Sequence, residues 1–325
     1  DRAARSITLD DGRSIRFDSL VIATGGTPRW LPGVPRAQNV LALRTLDDSV
    51  DLKRALAESH RLLVVGAGFI GAEVAASARA LGKEVLLVEA EPVPLGRALG
   101  QEMGHVYAQI HREHGVDLRT GTTVSEWVAA GDRLVAVVLS DGQREVVDAA
   151  LIAVGIEPDL TMARALNLKE VAGGVDVDGS LQAEAGIFCA GDIAAHRHPL
   201  YGRPLRVEHW QVAREQGRTV GRSVAGAVQA HADLPWFWSD QYDVKLQYLG
   251  NARGFDQELW RGERASGRYA IFYLKDGLID AVLAVNDART IRFSRELIRR
   301  RQPVDPGLLA APSTDLRALA EARGA

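Results

Sequence analysis

A glycine-rich segment carries the clearest chemical signal in the sequence. It follows an apolar run at 61–65, precedes a helical stretch, and reads Gly66-Ala67-Gly68-Phe69-Ile70-Gly71. In such a turn the first glycine permits a tight bend, the second lets the backbone approach a pyrophosphate, and the third lets the helix pack on the strand. The free N–H groups at the helix N-terminus then face the phosphates. The spacing therefore predicts a dinucleotide-binding βαβ unit.

An acidic residue indicates which dinucleotide is bound. Glu89 directly follows the next predicted strand, 84–88, and lies 18 positions after Gly71. A carboxylate at this place accepts hydrogen bonds from the adenosine ribose hydroxyls and repels a 2′-phosphate. Neither Lys nor Arg follows Glu89 directly. The sequence thus predicts NADH rather than NADPH as the coenzyme.

Two other apolar strands end in small residues and suit a second cofactor. They are Val21-Ile22-Ala23-Thr24-Gly25 and Phe188-Cys189-Ala190-Gly191-Asp192. Small residues let a backbone approach a cofactor closely, and the Asp192 carboxylate could bond a ribityl hydroxyl at the carboxyl end of its strand. Each stretch alone is typical of an ordinary buried strand and turn. Their placement on either side of the dinucleotide-binding unit indicates flavin binding.

Local patterns predict the elements that position these residues. The capping-box spacing at 45–48 predicts a helix to about Ser59, and further helices are predicted at 99–115, 207–228 and 292–301. A buried strand at 149–154 stops at Gly155, and the 118–148 segment reads as alternating strands with an Asp141-Gly142 turn. Aromatic residues cluster after 234, where the pattern becomes strand-like. The tail from Gly307 to Ala325 is weakly patterned, with one predicted helix.

Composition excludes several classes of protein. The chain has 325 residues, of which 46% are apolar and 25% charged, which excludes wholesale disorder. Its 39 Lys and Arg against 42 Asp and Glu give a formal charge of −3, so no general nucleic-acid or anionic-membrane binding is expected. The apolar runs are too short for a membrane helix. The one cysteine excludes an internal disulfide framework and a cysteine-rich metal site in this sequence.

Taken together, these segments resemble the two-dinucleotide-binding flavoprotein reductases. Within that family the sequence is similar to the NADH-dependent ferredoxin and rubredoxin reductases of bacterial oxygenase systems, over essentially the whole chain. The more specific of the matching segments are Glu208-His209-Trp210 and Pro235-Trp236-Phe237-Trp238-Ser239-Asp240-Gln241. The others are Ala23-Thr24-Gly25-Gly26, Leu43-Arg44-Thr45-Leu46-Asp47, Gly66 to Glu73 and Ala190-Gly191-Asp192.

The resemblance implies an α/β fold with two Rossmann-like dinucleotide-binding domains. An NADH-binding domain (44–156) is inserted into an FAD-binding domain (1–43 and 157–232), and an α+β C-terminal reductase domain follows (233–325). It also implies hydride transfer from NADH C4 to flavin N5, followed by single-electron transfer to an acidic ferredoxin or rubredoxin. Nucleic acid and membrane are not expected partners, and the expected location is the cytoplasm.

The resemblance also implies roles for individual residues. Arg44, Asp192 and Trp210 would contact FAD, Glu73 would lie near the nicotinamide, and Trp238 would lie near the flavin at the nicotinamide entrance. Thr24, Gly25 and Gly155 complete the candidate cofactor-binding residues, and neither a catalytic side chain nor a metal ligand is assigned. Such reductases begin with a Gly-x-Gly-x-x-Gly for FAD that this sequence does not contain, so we expect it to be incomplete at its N-terminus.

Other readings stay open at this point. An NADH oxidase or a CoA-disulfide reductase shares the fold, as does a non-enzymatic protein like apoptosis-inducing factor. A disulfide reductase would also need a histidine from its C-terminal domain, whereas all eight histidines lie at or before His231. His111 and His114 are interpreted as a solvated helix face, His196 and His198 receive no role, and Cys189 is interpreted as a core residue. A basic run opposed only by Glu296 is either solvated surface or a docking face for an acidic electron carrier; it comprises Arg289, Arg292, Arg295, Arg299, Arg300 and Arg301.

Overall fold

The computed structural model describes residues 1–321, which form two compact units. The first unit comprises Asp1–Gly26, Pro158–Trp238 and the chain from Val244 onward. The second unit comprises Thr27–Glu157 and the short segment Ser239–Asp243. Each unit is therefore assembled from segments that are distant in sequence.

The strands and helices are as follows. The strands are β1 (Ser6–Thr8), β2 (Ser14–Arg16), β3 (Leu20–Ile22), β4 (Gly26–Pro28), β5 (Val40–Leu41), β6 (Arg61–Val65), β7 (Glu84–Glu89), β8 (Asp117–Thr120), β9 (Val124–Ala130), β10 (Arg133–Leu139), β11 (Arg144–Val146), β12 (Ala149–Ile152), β13 (Ile156–Pro158), β14 (Glu170–Val171), β15 (Gly174–Val177), β16 (Gln182–Glu184), β17 (Ile187–Cys189), β18 (Ala194–Arg197), β19 (Pro204–Leu205), β20 (Trp236–Gln241), β21 (Val244–Gly250), β22 (Gln257–Glu263), β23 (Arg268–Lys275) and β24 (Leu278–Val285). The α-helices are α1 (Leu46–Glu58), α2 (Phe69–Ala80), α3 (Gly96–Leu99), α4 (Gln101–Glu113), α5 (Thr161–Ala165), α6 (Trp210–Val224), α7 (Ala288–Arg300), α8 (Pro306–Ala310) and α9 (Leu316–Glu321).

A parallel sheet in the order β5-β12-β6-β7-β8 forms the centre of the second unit. Its inner strands β12, β6 and β7 consist mostly of buried apolar residues because both faces of the sheet are covered. Leu62 and Val64 of β6 pack on one face with residues of α1, α2 and α4. Leu63 and Val65 pack on the other face against β10 of the antiparallel sheet β11-β10-β9.

Helix α1 begins as its sequence predicts. Thr45 is the N-cap, its side chain accepts a hydrogen bond from the Asp48 backbone N–H, and the Asp48 carboxylate accepts one from Thr45 N. The helix predicted at 99–115 is α4, from Gln101 to Glu113, and a separate one-turn helix, α3, precedes it. The break falls at Gly100, whose φ of +86° lies in the left-handed region that favours glycine.

Parallel pairing in the first unit brings β3 beside β17, and β16 adds to β17 antiparallel. A second sheet has the order β14-β15-β18-β19. The helix predicted at 207–228 is shorter, from Trp210 to Val224, because the chain turns out of the helix at Gly226 with φ of +90°.

Within each unit, hydrogen bonds connect the residues just before and just after the places where the chain passes to the other unit. In the first unit the Asp159 N–H donates to Gly25 O at 2.9 Å, and Thr24 Oγ1 donates to Asp159 O at 2.6 Å. In the second unit the Arg29 N–H donates to Gly155 O at 2.9 Å. Hydrogen bonds within each unit thus hold together the two stretches of its chain that lie at this boundary.

The C-terminal part of the first unit is a sheet in the order β20-β21-β24-β23-β22, whose core includes residues of α7, α8 and α9. Helix α7 begins before the predicted residue 292 because the Asp287 side chain accepts from Thr290 N. The tail predicted with one helix contains two, α8 and α9, and its residues 322–325 lie outside the described part of the chain. Within residues 1–321, none of the helices combines the length and apolar character needed to cross a membrane.

The basic run on α7 is not opposed by Glu296 alone. Arg300 pairs with Glu296, but Arg289 pairs with Asp315 at 3.8 Å and Arg301 pairs with Asp280. Arg295 is half-buried, and burial lowers its pKa. Arg289, Arg292 and Arg299 are exposed, and Arg292 and Arg299 have no carboxylate partner among the ion pairs of residues 1–321 described above.

Candidate functional site

The turn between β6 and α2 is shaped by its three glycines. A Cβ at Gly66, where φ is +96°, would lie 2.5 Å from Ala153 O, and a Cβ at Gly71 would lie 1.9 Å from Gly66 O. At Gly68, by contrast, no atom of residues 1–321 outside the glycine and its local backbone and chain neighbours lies within 4 Å of the place that a Cβ would take. Backbone packing thus requires Gly66 and Gly71, whereas Gly68 leaves the space that a pyrophosphate needs.

Helix α2 presents its N-terminus to that space. Gly68 is the N-cap and supplies no capping side chain, and the first helical residues are Phe69 and the exposed Ile70. The first turn contains no acidic residue that would repel phosphates. The N–H groups and the partial positive charge of the helix end suit a phosphate anion.

Glu89 is fixed to the glycine-rich turn. Its Oε2 accepts a hydrogen bond from Ala67 N at 2.6 Å, and its Oε1 accepts one from Glu91 N at 2.9 Å. An ionised carboxylate can accept about four hydrogen bonds, so capacity remains for a ribose diol. The backbone holds the carboxylate in place before any ligand arrives.

All the candidate residues of the second unit except Glu73 lie at one edge of its parallel sheet. Arg44 follows β5, Gly155 follows β12, the glycine-rich turn follows β6, and Glu89 ends β7. Gly155 is exposed with φ of +96°, and Arg44 is exposed with its N–H donating to Asp48 Oδ2. Carboxyl edges of parallel sheets are where such folds bind ligands.

Glu73 lies on the second turn of α2 and is half-buried. Burial raises the pKa of its carboxyl group, while the hydrogen bond from Ser239 Oγ, 2.6 Å from Glu73 Oε1, opposes this change. The neighbouring charge of Asp240 raises the pKa further. Glu73 is therefore a carboxylate whose ionisation depends on its neighbours.

The first unit brings Thr24, Gly25 and Asp192 to a common edge. Thr24 and Gly25 follow β3, Asp192 follows β17, and these two strands are parallel neighbours. Asp192 is buried in a 3-10 turn, where Gly191 N donates to Gln216 Oε1 at 2.8 Å. The arrangement suits a ligand with hydroxyl groups at this edge.

Two tryptophans of the first unit are exposed beside one another. Trp210 begins α6 with 64% of its surface exposed, and Trp238 of β20 is 46% exposed. Their rings meet edge to face with centroids 6.3 Å apart, and Trp236 stacks on Trp238 at 5.1 Å. Large aromatic surfaces are rarely left in water without a binding role.

The interpretation of His111 as part of a solvated helix face is wrong. His111 is fully buried, and its ring nitrogens contact Gln241 Oε1 and Tyr242 Oη at 3.0 and 3.1 Å. His114 is exposed and stacks on Tyr242 with ring centroids 3.6 Å apart. Met103, Tyr107 and His111 recur every four residues on the buried side of α4, which is the sequence signal for this burial.

Comparison with known proteins decides the family. The profile of pyridine nucleotide-disulphide oxidoreductases matches residues 1–217, and the profile of the reductase C-terminal domain matches residues 236–320. The chain belongs to the pyridine nucleotide-disulphide oxidoreductase family. It is therefore an oxidoreductase, and FAD and NADH are its cofactors.

Individual members of this oxidoreductase family are similar over most of their length. The chain is 36% identical to putidaredoxin reductase CamA of Pseudomonas putida, covering 98% of this chain and 76% of that protein. It is 37% identical to the ferredoxin–NAD(+) reductase component of the anthranilate 1,2-dioxygenase system of Burkholderia cepacia, covering 98% and 78%.

Solved structures of this oxidoreductase family confirm the α/β fold with a C-terminal domain. The ferredoxin reductase for the CYP199A2 system of Rhodopseudomonas palustris matches with a TM-score of 0.93 and 37% identity, covering 98% of this chain and 80% of that one. The putidaredoxin reductase of a covalent complex with putidaredoxin matches with a TM-score of 0.93 and 35% identity, covering 98% and 78%.

Proposed function

We propose that the protein passes electrons from NADH through FAD to a small iron–sulfur ferredoxin, or a rubredoxin, that feeds an oxygenase. The observation that carries this proposal is the carboxyl edge of the second unit, where an open glycine cradle and the anchored Glu89 fit NADH. The acceptor follows from relatives named as ferredoxin reductases of oxygenase systems.

The proposal assigns the candidate residues to two cofactors, NADH and FAD. The NADH pyrophosphate is held by the glycine-rich turn and the start of α2, which comprise Gly66, Gly68, Phe69, Ile70 and Gly71. Glu89 binds the ribose of NADH, and Gly155 and Glu73 lie on the nicotinamide side. The candidates for holding FAD are Thr24, Gly25, Arg44, Asp192, Trp210 and Trp238. When bound, the flavin accepts a hydride and releases electrons singly, so the side chains bind, orient and exclude water rather than supply an acid or a nucleophile.

Dithiol chemistry finds no support in the printed sequence. Cys189 is its one cysteine and is fully buried in β17. Burial raises the pKa of the thiol to about 12, so Cys189 is not a reactive thiolate. The interpretation of Cys189 as a core residue agrees with this burial.

The domain boundaries and the location belong to the same proposal. We assign the FAD-binding domain to 1–43 and 157–232, the NADH-binding domain to 44–156 and the C-terminal reductase domain to 233–325. A cytoplasmic location would supply NADH directly.

The proposed function predicts rapid NADH-dependent reduction of a [2Fe–2S] ferredoxin by the FAD-loaded protein. The measurement is the anaerobic bleaching of ferredoxin absorbance after NADH is added. Transfer of electrons to oxygen or to a disulfide alone, with the ferredoxin remaining oxidised, would contradict the proposal and favour an oxidase or a disulfide reductase.

Charge reversal on α7 tests whether the basic run docks the acidic partner. Arg292 and Arg299 are exposed, so R292E/R299E should slow ferredoxin reduction by about tenfold at low ionic strength, because opposite charges speed encounter. The rate with the unmodified protein should fall as salt rises. Stopped-flow ferredoxin reduction across a salt series measures both effects.

A matched control reverses two exposed arginines of the second unit. The R112E/R144E protein has the same change in net charge and should keep the unmodified ferredoxin rate. Ferricyanide reduction by NADH should be unchanged in both proteins. An unchanged ferredoxin rate in R292E/R299E at low salt would show that α7 is solvated surface and that the partner docks elsewhere.

A further inference from the structure

A line of hydrogen bonds in the second unit ends on Glu73. Ser239 Oγ lies 2.6 Å from Glu73 Oε1, and Gln241 Nε2 lies 3.1 Å from Ser239 Oγ. Gln241 Oε1 lies 3.0 Å from His111 Nε2, and His111 Nδ1 lies 3.1 Å from the Tyr242 hydroxyl. We name this set the donor chain, in order Tyr242, His111, Gln241 and Ser239.

The atoms at each contact fix which group donates. The amide Nε2 of Gln241 can only donate, so Ser239 Oγ accepts from it and gives its own proton to Glu73. Gln241 Oε1 can only accept, so His111 carries its proton on Nε2 and accepts from the Tyr242 hydroxyl at Nδ1. Every donor therefore points towards Glu73, which suits an acceptor-only, ionised carboxylate.

Most side chains of the donor chain are buried, so the loss of a hydrogen bond between them would be energetically costly. Ser239 is 1% exposed, and Gln241 and His111 are fully buried. Burial lowers the pKa of His111 to about 4, which keeps the ring neutral, with one donor and one acceptor as the chain requires. A buried polar group that lost its partner would bear the full cost of desolvation.

We propose that the donor chain positions the Glu73 carboxylate and keeps it ionised for binding the nicotinamide end of NADH. This inference rests on the proposed function, in which Glu73 lies near the nicotinamide. It adds Ser239, Gln241 and His111 as positioning residues that act through Glu73.

Neighbouring charges change the pKa values of groups in this hydrogen-bonded line, and they do not all act in the same direction. Asp240 raises the pKa of Glu73, and burial acts in the same direction, so the Ser239 hydrogen bond is the contact that favours the ionised form. His114 acts against protonation of His111. Burial raises the pKa of Tyr242 to about 12, and the charge of Arg79 opposes this change.

Within the donor chain, the Tyr242 hydroxyl affects the hydrogen bond between Ser239 and Glu73, because it determines which nitrogen of His111 carries the proton. Without the Tyr242 hydroxyl, His111 is free to move its proton to Nδ1, and Gln241 then turns its amide nitrogen towards His111 Nε2. In that orientation Gln241 Oε1 faces Ser239 and competes with Glu73 for the hydroxyl proton.

The first test removes the hydroxyl next to Glu73. In S239A the pKa of Glu73 should rise, so the acid limb of NADH-dependent flavin reduction should move up by about one pH unit. NAD⁺ affinity, measured by calorimetry across the same pH range, should show the same shift. S239T keeps the hydroxyl and should restore the unmodified profile, and S125A removes a serine hydroxyl elsewhere in the second unit and should leave it unchanged.

The second test needs neither flavin nor coenzyme. Nitrogen-15 NMR of imidazole-labelled full-length protein should show His111 protonated on Nε2, and Y242F should introduce the Nδ1-protonated form. Y242F should also move the acid limb upward, by less than S239A does. Because Tyr242 is partly exposed and loses one oxygen only, this variant remains informative if S239A fails to fold.

The outcomes separate this inference from the proposed function. An Nδ1-protonated His111 in the unmodified protein, or acid limbs in S239A and Y242F that match the unmodified one, would overturn the donor chain. The expected tautomers together with a protein that cannot reduce ferredoxin would leave the donor chain in place and overturn the proposed electron acceptor.

Discussion

Replacing Glu89 by arginine should turn an NADH-preferring enzyme into one that prefers NADPH. The carboxylate is held by Ala67 N and Glu91 N at the end of β7, where a ribose diol would share its remaining acceptor capacity. Losing hydrogen bonds to a charged acceptor costs about 1.5–3 kcal/mol, or roughly 10–100-fold in kcat/KM for NADH. A guanidinium in its place also attracts the 2′-phosphate of NADPH.

The expected change in the NADH to NADPH ratio of kcat/KM is therefore about 100-fold or more for E89R. E89A should reduce the preference for NADH over NADPH without reversing it. It removes the carboxylate that repels the 2′-phosphate of NADPH but adds no cation to attract that phosphate. Steady-state kinetics with ferricyanide as acceptor and both coenzymes measures the ratio.

Glu126 provides the matched control for this prediction. E126A removes an exposed carboxylate of β9, in the antiparallel sheet of the same unit. Its coenzyme ratio should match that of the unmodified protein. A native preference for NADPH, or an E89R protein that still favours NADH, would show that Glu89 does not select the coenzyme.

Acid should destabilise the first unit between about pH 6.5 and 4. His196, His198 and His231 are buried with neighbouring ring centroids 5.0–5.3 Å apart. Burial lowers the pKa of His196 to about 3 and that of His231 to about 4, and it also lowers the pKa of His198. Asp233 and Glu215 favour the protonated form of His231 but do not offset its burial.

The direction of the effect follows from these lowered values. Above pH 6.5 both folded and unfolded histidines are neutral, so the stability is fully present. As the pH falls, the unfolded state takes up protons that the folded state refuses, and the free energy of unfolding decreases. A histidine whose pKa is lowered from 6.5 to about 4 reduces the free energy of unfolding by about 3 kcal/mol across this pH range.

Denaturant unfolding at several pH values, followed by tryptophan fluorescence, measures this loss. Asparagine at 231 keeps a donor for Thr219 Oγ1 but does not titrate, so H231N should flatten the decrease by about one proton. H105N changes an exposed histidine and should leave the slope as it is. Equal slopes in H231N and the unmodified protein would assign the acid sensitivity to other groups.

The structural features that the sequence predicts are those determined by residues close together in the chain. The glycine spacing at 66–71, the carboxylate at 89 and the capping box at Thr45 each place their signal within a few residues of the structure they specify. Backbone geometry and helix capping act over such distances, so a short window of sequence contains the whole cause.

The parts that were missed depend on residues far apart in the chain. Gln241 meets His111 across 130 positions, and no local pattern pairs them. Asp315 pairs with Arg289 of α7 and Asp280 pairs with Arg301, the residue after α7, and both carboxylates are distant in sequence from their partners. Gly100 separates α4 from the short α3, so the helix predicted from residue 99 begins two residues later, at Gln101.

The backbone pairing of Gly25 with Asp159 has a consequence for how such a gene can arise. The chain leaves the first unit after Gly26 and re-enters it at Pro158, and residues on either side of this excursion are already hydrogen-bonded to each other. A segment whose ends meet can be spliced into a host protein at one surface turn without separating the strands on either side. The 131 residues between Gly26 and Pro158 therefore have the geometry of a cassette that recombination can transfer in one piece.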